Sequence, residues 1–136
     1  MELALALPLL LLILVGIFEF ARAYSIKQSL VNAAREGARA AVVQKATGTP
    51  DSSAVATVIN AYLSPNNITA DSIGISATAP DGTARASFAA AQSGDAITVT
   101  VTDQYSFLLV GPVLGLFGKS YRSGVTLGSR ATMRME

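Results

Sequence analysis

The sequence of 136 residues predicts an α+β fold, in which a long N-terminal hydrophobic helix leads into a small antiparallel β-sheet domain with a short second helix. Residues 3–18 carry no polar side chain, which is typical of a helix that is apolar on all sides. Segments 96–105 and 125–136 alternate between apolar and polar residues, as strands with one buried face do. We therefore expect a long helix over 1–45 and a small domain over 46–136.

The composition excludes several classes of protein. The chain has no Cys and no His, so it has no Ser-His-Asp triad, no thiol nucleophile, no Cys/His zinc site and no disulfide. We therefore expect no enzymatic activity and no cofactor. The net charge of +1 predicts no specific binding of nucleic acid. Charged residues make up only 14% of the chain, below the roughly 25% of soluble domains, which indicates an apolar segment.

That segment is the N-terminal run from Leu3 to Phe18. Sixteen helical residues span about 24 Å, which is short for a hydrocarbon core of about 30 Å. A single membrane span is feasible if Glu19 and Arg22 reach toward the interface. A secretory signal peptide, a buried core helix and a plain transmembrane anchor are the alternatives.

The helix is predicted to continue to about Val43, since polar residues beyond the apolar run recur at spacings of three and four and form one stripe. The opposite side is rich in alanine, which lets a sheet approach closely. Pro8 removes one backbone hydrogen bond and Gly16 weakens the helix, so we expect a bend or local unwinding near Pro8. The stripe consists of Arg22, Ser25, Ser29, Asn32, Glu36 and Arg39.

The rest of the chain predicts a linker over 46–53, with Asp51, Ser52 or Ser53 as cap of a second helix, and then mostly strands. The buried face of the sheet is expected to pack on the amphipathic half of the long helix. The predicted elements are a helix over 54–63, strands over 73–77, 96–105 and 125–136, and a weaker strand over 85–89.

Residues 107–118 are apolar and rich in glycine, although they connect two strands. They either fold over the core of their own domain or form a contact surface for another subunit. The large apolar residues of this connection are Phe107, Leu108, Leu109, Val110, Leu114, Leu116 and Phe117.

The remaining polar residues are more typical of turns than of a metal site or a modification site. Five aspartates lie mostly in predicted turns, and a loop Ca²⁺ site is the alternative interpretation. Asn67 begins an Asn-Ile-Thr glycosylation sequon, a pattern that also arises by chance. The basic residues Arg85, Lys119 and Arg122 are scattered rather than clustered. The aspartates are Asp51, Asp71, Asp81, Asp95 and Asp103.

Three blocks of sequence resemble TadE-like pilins of the tight-adherence (Flp/Tad) type IV pilus systems. They are the apolar run with Glu2, Pro8, Gly16 and Glu19, the block Asn32-Ala-Ala-Arg-Glu-Gly-Ala-Arg, and the C-terminal Arg130-Ala-Thr-Met-Arg-Met-Glu. The resemblance covers residues 1–45 and 95–136. Type IV pilins generally carry their glutamate at the fifth mature residue, whereas the first acid here is Glu2.

The resemblance implies a subunit of an extracellular filament that serves surface attachment or motility. Such a subunit is first anchored in the inner membrane by a single helix, is trimmed by a prepilin peptidase, and is moved by an assembly platform into a fibre of identical copies. A minor pilin, a membrane-anchored assembly factor of the same machine and a surface adhesin are the alternatives. The implied assembly residues are Met1, Glu2, Leu3, Pro8, Leu12, Gly16, Glu19 and Arg22.

The two acids that flank the apolar run have specific predicted partners. In a filament core a lone Glu2 carboxylate is costly, so we expect it to pair with the α-amino group of Met1 on an adjacent subunit. A solvated carboxylate favoured by the helix dipole is the alternative. Glu19 and Arg22 are spaced to pair with each other, or they bridge subunits.

The Glu2→Gln substitution tests the first pairing. It keeps the size of the side chain and removes its charge, so we expect filament assembly to be lost. The measurement is the amount of the chain in fibres sheared from the cell surface. The matched control is Glu36→Gln, which changes an acid on the polar stripe; normal assembly of both variants would contradict the prediction.

Overall fold

The structure is a computed structural model that describes residues 2–48, 51–108 and 124–136. Its long N-terminal helix, second helix and three-stranded antiparallel sheet confirm the predicted α+β class. Short 3₁₀ turns occur at Ser64–Asn66 and Phe88–Ala90. The helices are α1 (Glu2–Thr47) and α2 (Ser52–Leu63), and the strands are β1 (Ser72–Thr78), β2 (Ala96–Tyr105) and β3 (Val125–Arg134).

Helix α1 is continuous over all of its 46 residues, including Pro8. Of the two outcomes expected near Pro8, local unwinding does not occur, and a bend stays a prediction. A proline at this position removes one hydrogen bond of the second turn, and the surrounding leucines are strong helix formers. The helix also ends four residues later than predicted, where the backbone N–H of Gly48 donates to the carbonyl of Gln44 over 3.0 Å.

Helix α2 begins at Ser52, two residues before the predicted start at 54, and its N-cap is Asp51, one of the three predicted cap residues. The Asp51 carboxylate accepts hydrogen bonds from the backbone N–H of Ser53 at 2.9 Å and from its hydroxyl at 2.6 Å. These bonds favour the ionised form and lower the pKa of Asp51. The helix buries Val55, Ile59 and Leu63, which recur at spacings of four.

The sheet has the order β1-β2-β3, and its register fixes which residues face the core. Strands β1 and β2 are antiparallel, with Ser72 opposite Thr102 and Thr78 opposite Ala96. The Thr98 and Thr132 hydroxyl oxygens lie 2.9 Å apart across β2 and β3. Alternate residues of β2 are fully buried, as the pattern predicted: Ile97, Val99 and Val101.

The core lies where the second half of α1 meets the sheet and α2. Gly37 allows a close approach, because a Cβ atom added there would lie 2.7 Å from Ile59 Cδ1 and 3.4 Å from Val99 Cγ1. The small residues of α1 therefore allow close packing of the helix, as expected from the sequence. The buried α1 residues are Leu30, Ala33, Ala34, Ala38 and Ala41.

The strand predicted over 85–89 is wrong. Only Ala84 forms an isolated bridge to β1, and Phe88 begins a 3₁₀ turn in which its ring is buried. A run of small residues carries no alternation strong enough to hold a strand, whereas one large aromatic side chain gains apolar burial by turning inward.

Arg85 was expected to be a scattered basic residue, and Asp95 an aspartate of a turn. The structure corrects both expectations, because the two side chains form a partly buried ion pair. Asp95 is fully buried, and its carboxylate accepts from Arg85 Nε at 2.8 Å, from an Arg85 terminal nitrogen at 3.0 Å and from the Gln92 N–H at 2.8 Å. The buried charge is thus paired and hydrogen-bonded, as such charges must be. Hydrogen bonding to Asp95 raises the pKa of Arg85.

The contacts divide the chain into two compact units. The first comprises Met1–Ile26 with Gln104–Thr126, and the second comprises Lys27–Asp103 with Leu127–Glu136. Each unit thus joins a part of α1 to a later part of the chain. The domain boundary expected at residue 45 stays a prediction.

The two glycines of α1 give a matched test of the packing. Gly37→Ala is expected to lower the free energy of unfolding by about 1–2 kcal/mol, because overpacking against Ile59 exceeds the gain in helix propensity. Gly16→Ala meets no other atom within 4 Å and should leave stability equal or slightly higher. Urea unfolding followed by circular dichroism in mild detergent measures both. Equal stabilities of the two variants would contradict the close approach at Gly37.

Candidate assembly surface

The first half of α1 presents a continuous apolar surface that the chain itself does not cover. About two thirds of the Leu7, Leu10, Leu14 and Ile17 side chains is exposed. The helix is long and apolar enough to cross a membrane: an 18-residue window within Ala6–Gln44 has a mean hydropathy of 2.1. The other large exposed residues of this surface are Leu9, Leu11, Leu12, Ile13, Phe18 and Phe20.

The exposure of these side chains means that the surface needs a second apolar body. A large aliphatic or aromatic side chain contributes about 1.5–3 kcal/mol when it moves fully from water into an apolar environment. Either lipid or other protein can supply that environment. Gly16 lies within this surface and has no atom near its missing side chain, so it leaves room for a close neighbour.

At the end of the apolar surface, Glu19 is buried, with only 3% of the residue exposed. The Tyr105 hydroxyl, at the end of β2, donates a hydrogen bond to Glu19 Oε2 over 2.6 Å. Tyr105 is itself buried. Its burial is the larger cause, and its hydrogen bond to Glu19 the smaller cause, of the raised pKa of its hydroxyl. The carboxylate at the boundary of the apolar helix is therefore enclosed by the chain's own residues.

Tyr105 also contacts two further candidate residues. The Arg22 guanidinium carbon lies 5.7 Å from the centre of the Tyr105 ring, which is a cation–π distance. The Phe107 ring packs edge-to-face on Tyr105, with centroids 5.4 Å apart and planes at 87°. The structure thus joins Glu19 and Arg22 through an aromatic ring. Their direct ion pair stays a prediction.

Sequence reasoning missed Tyr105 because its partner lies 86 residues away along the chain. Alternation along β2 predicted that every second residue faces inward, and Tyr105 continues the series Ile97, Val99, Val101. An inward-facing tyrosine needs a partner for its hydroxyl, which is the signal that the pattern offered. Only the fold identifies that partner as Glu19.

The structure describes only part of the remaining assembly candidates. In the apolar connection, Phe107 is half-buried against Tyr105, which favours folding over the chain's own core, whereas 60% of Leu108 is exposed. Met1 and the side chains of Glu2 and Leu3 lie outside the described residues. So do five residues of the connection: Leu109, Val110, Leu114, Leu116 and Phe117.

Two polar candidates of the small domain, Asn67 and Asp81, lie in ordinary turns. Asn67 is exposed and takes a left-handed conformation, φ 53°, at the end of the first 3₁₀ turn. Asp81 accepts from the N–H and the hydroxyl of Thr83, and these bonds lower its pKa. Within the described ranges, no group of three or more Asp, Glu, His or Cys side chains is placed to hold a metal ion.

In the comparison with known protein families, a match falls on this helix. The model of the TadE-like protein family matches residues 1–39, which include the exposed apolar surface, Glu19 and Arg22. Residues 1–39 are TadE-like. This match confirms the predicted resemblance for that segment of the chain.

The TadE-like match ends within the half of α1 that packs on the sheet, so it does not extend to the similarity proposed for residues 95–136. No curated protein and no solved structure matches the chain. The apolar helix is compatible with a membrane anchor.

Removal of the Tyr105 hydroxyl tests the enclosure of Glu19. Tyr105→Phe keeps the ring beside Arg22 and Phe107 but withdraws one donor from a buried carboxylate, so we expect a loss of about 2 kcal/mol in the free energy of unfolding. Tyr62→Phe is the control, because Tyr62 is 41% exposed and its change should stay within about 0.5 kcal/mol. Urea unfolding in mild detergent measures both variants.

The same pair of variants has a pH signature. The pKa of the Tyr105 hydroxyl is raised above its ordinary 10.0, so the fold favours the protonated hydroxyl. The resulting contribution to the free energy of unfolding is fully present below pH 10.0 and is lost as the pH rises through the raised pKa. A tyrosinate absorbance titration of the folded protein should therefore lose its highest-pH component in Tyr105→Phe and keep it in Tyr62→Phe. An unchanged titration in Tyr105→Phe would contradict the burial.

Proposed function

We propose that this chain is a structural subunit of a Tad-type pilus, a pilin whose N-terminal helices pack together in the core of an extracellular filament. The observation that carries the proposal is the uncovered apolar surface of α1 within the TadE-like segment. In a monomer in water, about ten large apolar side chains of this helix would be exposed, and burial of such a surface favours association.

The same surface serves two environments in turn. Before assembly it lies in the inner membrane as a single-pass anchor, where leucine and isoleucine side chains meet lipid. After a prepilin peptidase and the assembly platform have acted, it meets the same surface of neighbouring copies. Both environments are apolar, so the transfer between them costs little hydrophobic free energy, and close helix packing must supply the preference for the fibre.

A filament held in this way needs no covalent links between subunits, which suits a chain without cysteine. Burial of apolar surface stabilises the core by about 25 cal/mol per Å² and has no directional requirement. Shape then decides how the helices fit, and Gly16 is the position in the apolar surface where two helices can come closest. Surface attachment or motility would be the task of the resulting fibre.

The direct experiment is to shear fibres from cells that make the protein and to identify their subunits by mass spectrometry. A major pilin is the main component of the fibre, whereas a minor pilin is a small but constant fraction of it. Recovery of the chain only from the membrane fraction, with fibres that lack it, would overturn the proposal and favour a membrane-anchored assembly factor. Direct binding of the protein to a surface without fibres would favour an adhesin.

Gly16→Leu separates helix packing in a fibre from simple membrane anchoring. Leucine is more apolar than glycine and a better helix former, so insertion into the membrane should be unchanged. In a packed core the added side chain costs about 1–3 kcal/mol, and we expect the fibre yield to fall about tenfold.

The control is Ile17→Leu, which keeps the volume of an exposed neighbouring side chain and should keep the yield. The measurement is the ratio of sheared to membrane-bound protein, determined by quantitative blotting. If Gly16→Leu forms fibres as well as the unchanged chain, the helices do not approach each other at this glycine.

A further inference from the structure

The two edges of the sheet differ in how much of their backbone is already paired. Along the outer edge of β1, the N–H of Arg85 donates to the carbonyl of Ala77 over 2.9 Å, and the N–H of Ala79 donates to Thr83 over 2.8 Å. These bonds close the C-terminal half of that edge. The outward backbone groups at Ile73 and Ile75 have no partner among the described residues.

The outer edge of β3 is more open. Met135, just after β3, exchanges backbone bonds with Gly94 and Asp95, just before β2. Odd-numbered residues of β3 therefore direct their backbone toward β2. Even-numbered residues therefore direct their N–H and C=O groups away from the sheet. At Gly128 the outward carbonyl accepts a hydrogen bond from Lys27 Nζ of α1.

Beyond Gly128, the outward backbone groups of Arg130, Thr132 and Arg134 have no partner in the part of the chain that the structure describes. All three residues are exposed. An open edge of this length is a template on which another strand can pair. Among the features that natural edges use against such pairing, residues 130–134 contain no proline but do carry the charges of Arg130 and Arg134.

We propose that the β3 edge of one copy pairs with the β1 edge of the next copy, as parallel strands, and so joins the sheets of neighbouring subunits. The inference rests on the proposed filament, in which neighbouring copies have nearly the same orientation. Strands β1 and β3 both run antiparallel to β2, so they are parallel to each other. A neighbour of the same orientation therefore brings its β1 alongside β3 as a parallel strand.

The faces of the two sheets also match in this arrangement. In a parallel pair, the residues that exchange hydrogen bonds point their side chains to opposite faces. On β3 these are even-numbered residues, whose side chains lie on the solvent face; on β1 they are Ile73 and Ile75, which lie on the same face as the buried Ala77. The joined sheets thus keep their apolar faces on one side. An antiparallel pairing of these edges would place them on opposite sides.

Charge disfavours the alternative in which two β3 edges pair with each other. An antiparallel self-pairing centred on Thr132 places Arg130 opposite Arg134 twice, and like charges directly opposite destabilise a sheet. Strand β1 carries no charged residue, and its solvent face offers the small side chains of Ser72, Gly74 and Ser76. The two arginines therefore meet no repulsion and have space on the β1 edge.

Each copy then uses β3 on one side and β1 on the other, so the contact repeats without closing on itself unless the rotation between copies makes a ring. Such a contact lies outside the helical core of the fibre. It would fix the spacing and rotation of the small domains, which packing of smooth apolar helices leaves weakly specified.

Engineered cysteines test the pairing directly, because the chain has none of its own. Thr132→Cys is combined in the full chain with Ser72→Cys, Gly74→Cys or Ser76→Cys, which cover three registers. Within one copy β2 separates these positions by at least about 9–10 Å, too far for a disulfide. After mild oxidation of intact cells, we expect one double variant to give a ladder of dimers, trimers and longer species on a non-reducing gel, and each single variant to stay monomeric.

Two results would overturn the inference. Dimers from Thr132→Cys alone would show β3 pairing with itself. No ladder from any double variant, although all three are present in sheared fibres, would show that the edge is covered in another way, while the proposed function stands. A ladder in a strain whose fibres lack the chain would instead support the edge pairing and contradict the filament function.

A backbone variant gives a second measurement. Arg130→Pro removes an N–H that points away from β2, so it spares the sheet within the copy and withdraws one donor from the neighbour. Added to the ladder-forming double variant, it should reduce the cross-linked fraction several-fold. Arg130→Ala, which removes the charge but keeps the N–H, should retain the ladder. Equal ladders from both would contradict backbone pairing at this edge.

Discussion

The apolar surface of the first half of α1 is the constraint on which the rest of the structure depends. A small chain can bury only a limited fraction of its surface, and this one leaves large apolar residues of a long helix uncovered. The free energy that this surface can release becomes available when a second apolar body covers it. The small domain need only hold its own fold, and in the proposed filament the helix would provide the association between copies.

The two halves of α1 differ in the size of their side chains and in what those side chains contact. In the first half, large leucine and isoleucine side chains project outward and provide area for contacts with other molecules. In the second half, alanines and Gly37 keep the helix thin, so that the sheet and α2 approach its backbone. Large side chains at Gly37 would separate the helix from Ile59, and small side chains at Leu10 or Leu14 would reduce the exposed apolar area.

Most of the architecture could be predicted from local patterns. The spacing of polar residues identified the amphipathic half of α1, the alternation of Ile97, Val99 and Val101 identified β2, and Asp51 identified the start of α2. Each of these signals lies within a few residues of the structure it specifies. Residues 85–89 gave no such signal, and there the predicted strand was wrong.

What the sequence could not predict were the contacts between distant polar residues. Tyr105 and Glu19 belong to different elements, and the residues adjacent to either one in the sequence do not indicate that the two side chains meet. Asp95 resembled the aspartates of ordinary turns, and only its burial and its bonds to Arg85 distinguish it. Such pairs depend on how elements pack, whereas caps and periodicity depend on the chain within one turn or strand.

The enclosure of Glu19 by Tyr105 changes the length of helix that a bilayer can accept. Counted by sequence, the apolar run ends at Phe18, and its length of about 24 Å falls short of the hydrocarbon thickness. With the Glu19 carboxylate turned into the protein, the surface continues through Phe20, which is 74% exposed, to Ala21. Nineteen residues span about 28 Å, close to the roughly 30 Å of a bilayer core. One tyrosine on a strand thereby adjusts the hydrophobic match of a helix.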